Sequence, residues 1–345
     1  MKKKVFWALF TLCLSILTIF SLFYSGDLSV PELLQKVKEA SPEWLIPAAI
    51  CTLGFIFFEG LSLVLILRTL GYPAKKRRGF LYSSADIYFS SITPSATGGQ
   101  PASAFFMRKD GVSGAAITVS LILNLTMYTL AIITLGLFSI IFFPGIFLDF
   151  ALPCKIMILI GVAMMSLLTA FFILLLKKQA ILLKICNVIV SIIERLNFKK
   201  AAERFRRGID STLEKYRECV ETLGDKKAIF VKTYLLNILQ RASQILVTVF
   251  CYYAMHGNIP NGLKIFAIQT YVVIGSNFIP IPGAVGISEF LMYFGYESLI
   301  GGEASCSLAI LSRGISFYTC SAISIFTVIL GFILLRQKKN KKENL

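Results

Sequence analysis

Apolar residues gather into six long runs along the chain, at 5–24, 44–67, 115–143, 154–176, 228–255 and 305–335. Each is about as long as the roughly 20 residues a helix needs to cross a bilayer core. Two further segments, 80–107 and 263–300, are rich in apolar or small residues but are broken in the middle. The first break reads Thr93-Pro94-Ser95-Ala96-Thr97-Gly98-Gly99-Gln100-Pro101. The second reads Pro280-Ile281-Pro282-Gly283-Ala284-Val285-Gly286, then Ser288 and Glu289. A continuous helix satisfies its own backbone in lipid, whereas broken backbone persists there only inside protein or along a wet cavity. Paired breaks in corresponding positions of two halves point to the binding site of a transporter. The glycines permit backbone conformations barred to other residues and close approach of a ligand. The competing reading of Gly98, Gly99, Gly283 and Gly286 is tight helix contact of the small-residue kind, against which the prolines argue because each removes a backbone donor.

Basic residues set the expected sidedness through the positive-inside rule. Lys2, Lys3 and Lys4 place the N-terminus in the cytoplasm. If each broken segment dips into the membrane and returns to its own side, every basic cluster lands inside. These are the group Lys75, Lys76, Arg77 and Arg78, the pair Arg108 and Lys109, the stretch 177–227 and the tail beginning at Arg336. Eight full crossings would instead translocate the stretch 177–227. The expectation is an all-α polytopic membrane protein with about six full transmembrane helices. To these it adds two re-entrant helical hairpins, one from each side, as in an inverted pseudo-repeat. The chain 1–345 is then a single transmembrane domain with cytoplasmic termini. It divides into a first half (1–176), a basic cytoplasmic connector (177–227) and a second half (228–345).

Composition agrees with a membrane protein: 56% of the 345 residues are hydrophobic. The formal charge of +16 would suggest nucleic acid on a soluble chain. No nucleic-acid-binding signature accompanies it, so no nucleic-acid partner is expected and the charge reports topology and contact with anionic lipid. The N-terminal run is too long for a signal peptide and no small-residue cleavage site follows it, so it reads as an uncleaved span. Eight scattered cysteines without a CxxC pair read as small apolar residues in helix contacts. His256, the one histidine, reads as a surface loop residue, and no metal or cofactor is expected. In the connector, Ile181, Ile185, Val188, Ile189 and Ile192 recur at helical spacing beside many basic residues. That pattern suits an amphipathic helix on the anionic leaflet and equally a solvated extension of the neighbouring helix.

Ionisable residues at membrane depth are costly and mark function by default. Glu59, Asp86, Glu289 and Arg313 are such residues, and Asn237, Gln240, Arg241 and Gln244 share one helical face. In one reading they pair among themselves and lock the bundle. In the other, Arg241 and Arg313 face a cavity and hold an anionic group, since the planar guanidinium fork suits phosphate oxygens. Half-helix N-termini at the breaks would then add N–H donors.

The stretch Ser91 to Pro101 with Gly111, the stretch Phe278 to Glu289, and Leu311-Ser312-Arg313-Gly314-Ile315-Ser316-Phe317-Tyr318 carry a family likeness. They resemble the signatures of the lysylphosphatidylglycerol synthase transmembrane-domain (flippase-like) family, and the likeness covers nearly the whole chain. Its best-known members are the bacterial multiple peptide resistance factors. There, a membrane domain like this is implied to flip lysyl-phosphatidylglycerol to the outer leaflet, and a fused cytosolic domain makes that lipid from lysyl-tRNA. Two departures stand out. Only a short basic tail follows 335, and Ala284 occupies the place of an expected glycine. The resemblance implies a bacterial plasma-membrane protein.

The first functional expectation is a flippase-like protein that moves an anionic or aminoacylated phospholipid. Arg241 and Arg313 would hold phosphate, and Glu289 and Asp86 would balance charge or meet a cationic headgroup. Gln240 and Gln100 would line the same site, with Pro94, Gly98, Gly99, Pro101, Pro280, Pro282, Gly283 and Gly286 forming the backbone breaks. Without a GxxxxGK[ST] sequence, transport would be facilitated or ion-coupled. The alternatives are a phosphatidylglycerol lysyltransferase, for which no Ser/His or Cys/His set is present, and a membrane partner of a separate lipid synthase. Self-association into a homo-oligomer stays open.

Overall fold

The computed structural model describes residues 38–178 and 213–343, with scattered positions between 181 and 191. The expected first span, 5–24, and most of the connector lie outside the described residues. The first half contains α1 (Pro42–Thr69), α2 (Lys76–Ser91), α3 (Gly99–Lys109), α4 (Gly114–Phe142), α5 (Pro144–Asp149) and α6 (Leu152–Lys177). The second contains α7 (Ala228–Ala254), α8 (Gly262–Ser276), α9 (Ile287–Ile300), α10 (Gly302–Arg313) and α11 (Cys320–Glu343). No strand occurs among the described residues.

Among the described residues, five helices are long and apolar enough to cross a membrane: α1, α4, α6, α7 and the unit Gly302–Leu335 formed by α10 and α11. The chain is thus a multi-pass helical membrane protein, and the expected spans two to six each have a counterpart within a few residues. Local chemistry explains the small differences. Pro42 starts α1 at a position where a missing N–H costs nothing. Ser113 starts α4 by accepting the Ala116 N–H at 3.3 Å. The last span is not a uniform helix, because the chain passes through a π-helical turn, Gly314–Thr319, directly after Arg313.

Each broken segment folds back on itself. In the first, Arg78 meets Asp110 at 2.6 Å at the open end, Gln100 meets Asp86 midway, and the Gly98 N–H donates to Thr93 Oγ1 at 2.8 Å near the tip. In the second, Tyr296 of α9 donates to Gln269 of α8. The arms have 16, 11, 15 and 14 residues. At about 1.5 Å per residue, each is shorter than the roughly 30 Å hydrocarbon core.

The two tips share one backbone design. In the first, Pro94 precedes Ser95 and Ala96 at φ of 52° and 53°. In the second, Pro282 precedes Gly283 and Ala284 at φ of 61° and 48°. A shift of 188 positions carries Pro94 onto Pro282, Gly98 onto Gly286, the start of α3 onto that of α9, and the start of α4 onto that of α10. The same shift brings α1 within three residues of α7 at either end. Those two helices pack closely and antiparallel: the Ser41 N–H donates to Ala254 O at 2.8 Å, Gln240 bonds Glu59, and Asn237 bonds Ser62. The two tips touch each other.

Of the connector, residues 213–225 form a helix whose Tyr216, buried, donates to Leu175 O at the end of α6. His256 lies exposed in the loop after α7, at φ 59°.

Candidate functional site

The polar face of α7 points into the bundle, as its spacing predicts: Asn237, Gln240 and Arg241 are all buried. Their partners divide the face into two parts. Asn237 belongs to a lock among three helices. Ser62 of α1 donates to Asn124 Oδ1 of α4 at 2.6 Å, and Asn237 Nδ2 donates to Ser62, Asn124 and Thr233 O. One turn further along, Gln240 donates to Glu59 Oε2 at 3.0 Å, and Ser83 of α2 donates to the same oxygen at 2.9 Å. Asp86 of α2 interacts with the Glu59 carboxyl and accepts from Gln100 and Ser90.

Arg241 lies beside this acidic pair, only 5% exposed. Its guanidinium is stacked on Tyr128 of α4, 3.7 Å from the ring centre, and lies 5.1 Å from Phe55 of α1. One terminal nitrogen donates to Gln244. Its Nε has no partner, and Arg241 forms no direct ion pair among the described residues. The Gln100 and Gln240 side-chain oxygens are likewise buried without a partner. Unpaired buried polar atoms are rare and call for a reason. The Tyr128 hydroxyl donates to Asn277 at 3.1 Å, and Asn277 opens the second break. The cluster therefore touches both breaks, through Asp86 and Gln100 at one and Asn277 at the other.

Arg313 is placed differently. Its Nε donates to Glu289 Oε1 at 2.8 Å and its Nη2 to Gly283 O at 2.9 Å, while its plane lies 4.2 Å from the Phe317 ring centre. The π-turn brings Phe317 under the guanidinium; such turns cluster at functional sites. Glu289 also accepts the Gly286 N–H through Oε2 at 2.8 Å. The pairing reading therefore holds for Arg313 and does not extend to Arg241. Arg313 is an ion-paired clamp on the second tip, and Arg241 is a stacked cation without a carboxylate in direct contact.

Two expectations about the breaks need correction. The left-handed conformations of the first tip fall on Ser95 and Ala96, and Gly98 sits at φ −83°. Gly99 serves close approach instead, because a methyl group there would collide with Asp86 Oδ1 and Ser90 Oγ. At the second tip Gly283 and Gly286, at φ 61° and 90°, do take conformations that suit glycine. Nor are all the N-terminal donors of α3 and α9 free. Thr93 Oγ1 occupies the Gly98 N–H and Glu289 the Gly286 N–H, so the chain caps its own half-helices. Pro94 and Pro282 begin the two tip turns; Pro101 and Pro280 lie exposed beside them.

Tyr128, Phe55 and Asn277 carry no sequence signal that separates them from other residues of apolar helices. Phe317 had one, in the arginine–aromatic element after Arg313.

A family model described as the lysylphosphatidylglycerol synthase TM region matches residues 8–324. The chain is also similar to a UPF0104 membrane protein of Archaeoglobus fulgidus. The two are 23% identical over 313 residues, which cover 88% of this chain and 92% of the relative.

Proposed function

The chain belongs to the lysylphosphatidylglycerol synthase transmembrane-region family, and from that premise we propose that it moves the headgroup of an anionic or aminoacylated phospholipid between leaflets. The observation that carries this reading is Arg241: a buried, stacked guanidinium with a free Nε and no direct ion pair, set between two helix breaks. A charge is kept at such depth when it serves a ligand or a path. A phosphate at Arg241 would accept from the free Nε, and Gln100 and Gln240 offer unpaired oxygens to hydroxyl or amine groups of the headgroup. Acyl chains stay in lipid while the headgroup passes the tips.

In this reading the folded-back segments are re-entrant hairpins that enter from opposite sides, six helices cross the membrane, and both termini are cytoplasmic. The half-length arms, the shared tip design and the antiparallel α1 and α7 support it. Arg313 and Glu289 hold the second tip in shape, and release of that ion pair would let the tip move. Glu59 and Asp86 balance Arg241 in the empty state.

Leaflet-resolved lipid labelling of cells carrying wild type, Arg241→Ala or no copy tests the proposal. One lipid stranded in the inner leaflet at unchanged total amount is the expected result for both defective strains. A fall in the total amount of an aminoacylated lipid, with normal sidedness of the remainder, would overturn it in favour of synthesis by this chain or by a partner enzyme.

A further inference from the structure

Two cavities lie outside the Arg241 cluster. One, of about 350 Å³, lies among α4, α5, α6 and α8, with Gly136, Phe147, Ile158, Val162, Tyr271 and Ile274 in its wall. That volume falls within the usual range for ligand pockets, about 300–1,000 Å³. Its wall is apolar: Tyr271 lines it but is only 1% exposed, with its hydroxyl buried away from the space. A water molecule there would lack polar partners, whereas a hydrocarbon chain fills the space.

The second cavity, of about 370 Å³, adjoins the first across Pro144 and is lined by Asp149, Lys264, Ile268 and Ser298. Lys264 and Asp149 are both exposed, and neither forms an ion pair among the described residues. Along α8, positions 264, 268, 271 and 274 recur at intervals of three or four and so share one face. This face leads from the charged cavity into the apolar one. Lys264 and Tyr271 are about 10 Å apart along the axis at about 1.5 Å per residue, a distance that a lysine side chain and a glycerol backbone span together. Around the mouth, Leu137, Ile140 and Leu159 are 52%, 45% and 57% exposed on membrane-crossing helices, so the cavity opens on lipid rather than on water.

We propose that these joined cavities bind one glycerophospholipid of the surrounding bilayer whose headgroup carries an amine. Its phosphate meets Lys264, its amine Asp149, and one acyl chain lies along Ile274 between α4 and α6. The site is independent of the translocation reading, because it would be filled whether or not the chain moves lipid.

The test uses the full chain in nanodiscs containing phosphatidylethanolamine with a diazirine in one acyl chain, followed by mass-spectrometric mapping of the adducts. Adducts should concentrate on residues 132–148 and 158–165, above the labelling of Phe326, Ile329 and Ile333 on exposed α11. Leu159→Trp, at the exposed rim, should lower the cavity adducts at least fivefold and leave those on α11 unchanged. Lys264→Ala, on the surface, tests the headgroup contact without touching the core and should also lower them. Adducts spread evenly over α4, α6 and α11, and insensitive to these substitutions, would overturn the proposal. Equal competition by unlabelled phosphatidylglycerol and phosphatidylethanolamine would overturn the amine assignment.

Discussion

Arg241 and Arg313 should respond differently to truncation. Arg313 and Glu289 form an ion pair whose side chains are 12% and 5% exposed. Arg313→Ala leaves the Glu289 carboxylate buried, with the Gly286 N–H as its remaining hydrogen-bond donor. Breaking a buried pair from one side costs about 3–5 kcal/mol, and each 1.4 kcal/mol or so is tenfold in the folded-to-unfolded ratio. Arg241→Ala removes stacking on Tyr128 and Phe55, on the order of 0.5–2 kcal/mol, and one bond to Gln244. Part of that loss is offset, because the unpaired Nε and its desolvation disappear with it. Arg241→Ala is therefore expected to be the milder variant by about 2 kcal/mol, although it abolishes lipid movement. A combined Arg313→Met and Glu289→Gln variant should recover most of the stability lost in Arg313→Ala, since neither charge is left stranded. Detergent-induced unfolding in mixed micelles, followed by circular dichroism, measures all three. If Arg241→Ala were as destabilising as Arg313→Ala, and the double variant no better than the single one, the distinction between clamp and free cation would be refuted.

Gly99→Ala should damage the first hairpin, because the added methyl meets Asp86 and Ser90 in the first turn of α3. A loss of about 1–3 kcal/mol is expected from such overpacking, and unchanged unfolding would disprove the close approach. Asn237→Leu removes the donor that joins α1 to α4 and α7, leaving Ser62 and Asn124 with each other. It should lower stability by about 1–3 kcal/mol and leave lipid sidedness normal in the folded fraction. At Tyr216, outside the membrane-crossing helices, burial raises the phenol to about 12 from 10.0. The folded state favours the neutral form, so this contribution is complete below pH 10 and lost as pH rises towards 12. Unfolding titrations should show that loss in wild type and a flatter profile in Tyr216→Phe; parallel profiles would contradict it.

Much of this architecture was legible in the sequence because the constraint behind it is local. In lipid each segment must satisfy its own backbone, so apolar length marks the crossing helices and Pro-Gly clusters mark where the helix fails. The amide-and-arginine face of α7 was readable for the same reason: helical spacing alone puts Asn237, Gln240 and Arg241 on one side. What the spacing left open is which partner each residue finds. Glu289 is 24 positions from Arg313, whereas Tyr128 and Phe55 come to Arg241 from α4 and α1. Only the antiparallel register of α1 against α7 and the fold-back of each broken segment bring those groups within bonding distance. The same holds within the tips. Glycine content suggested where the chain could turn left-handed, yet contact between α2 and α3 takes Gly99 for close approach and leaves the strained angles to Ser95 and Ala96. Sequence thus determined the spans, the breaks and the buried charges. Tertiary structure decided that Arg313 is paired and Arg241 free, because pairing depends on how helices are rotated and aligned against one another, and no single helix's periodicity contains that information.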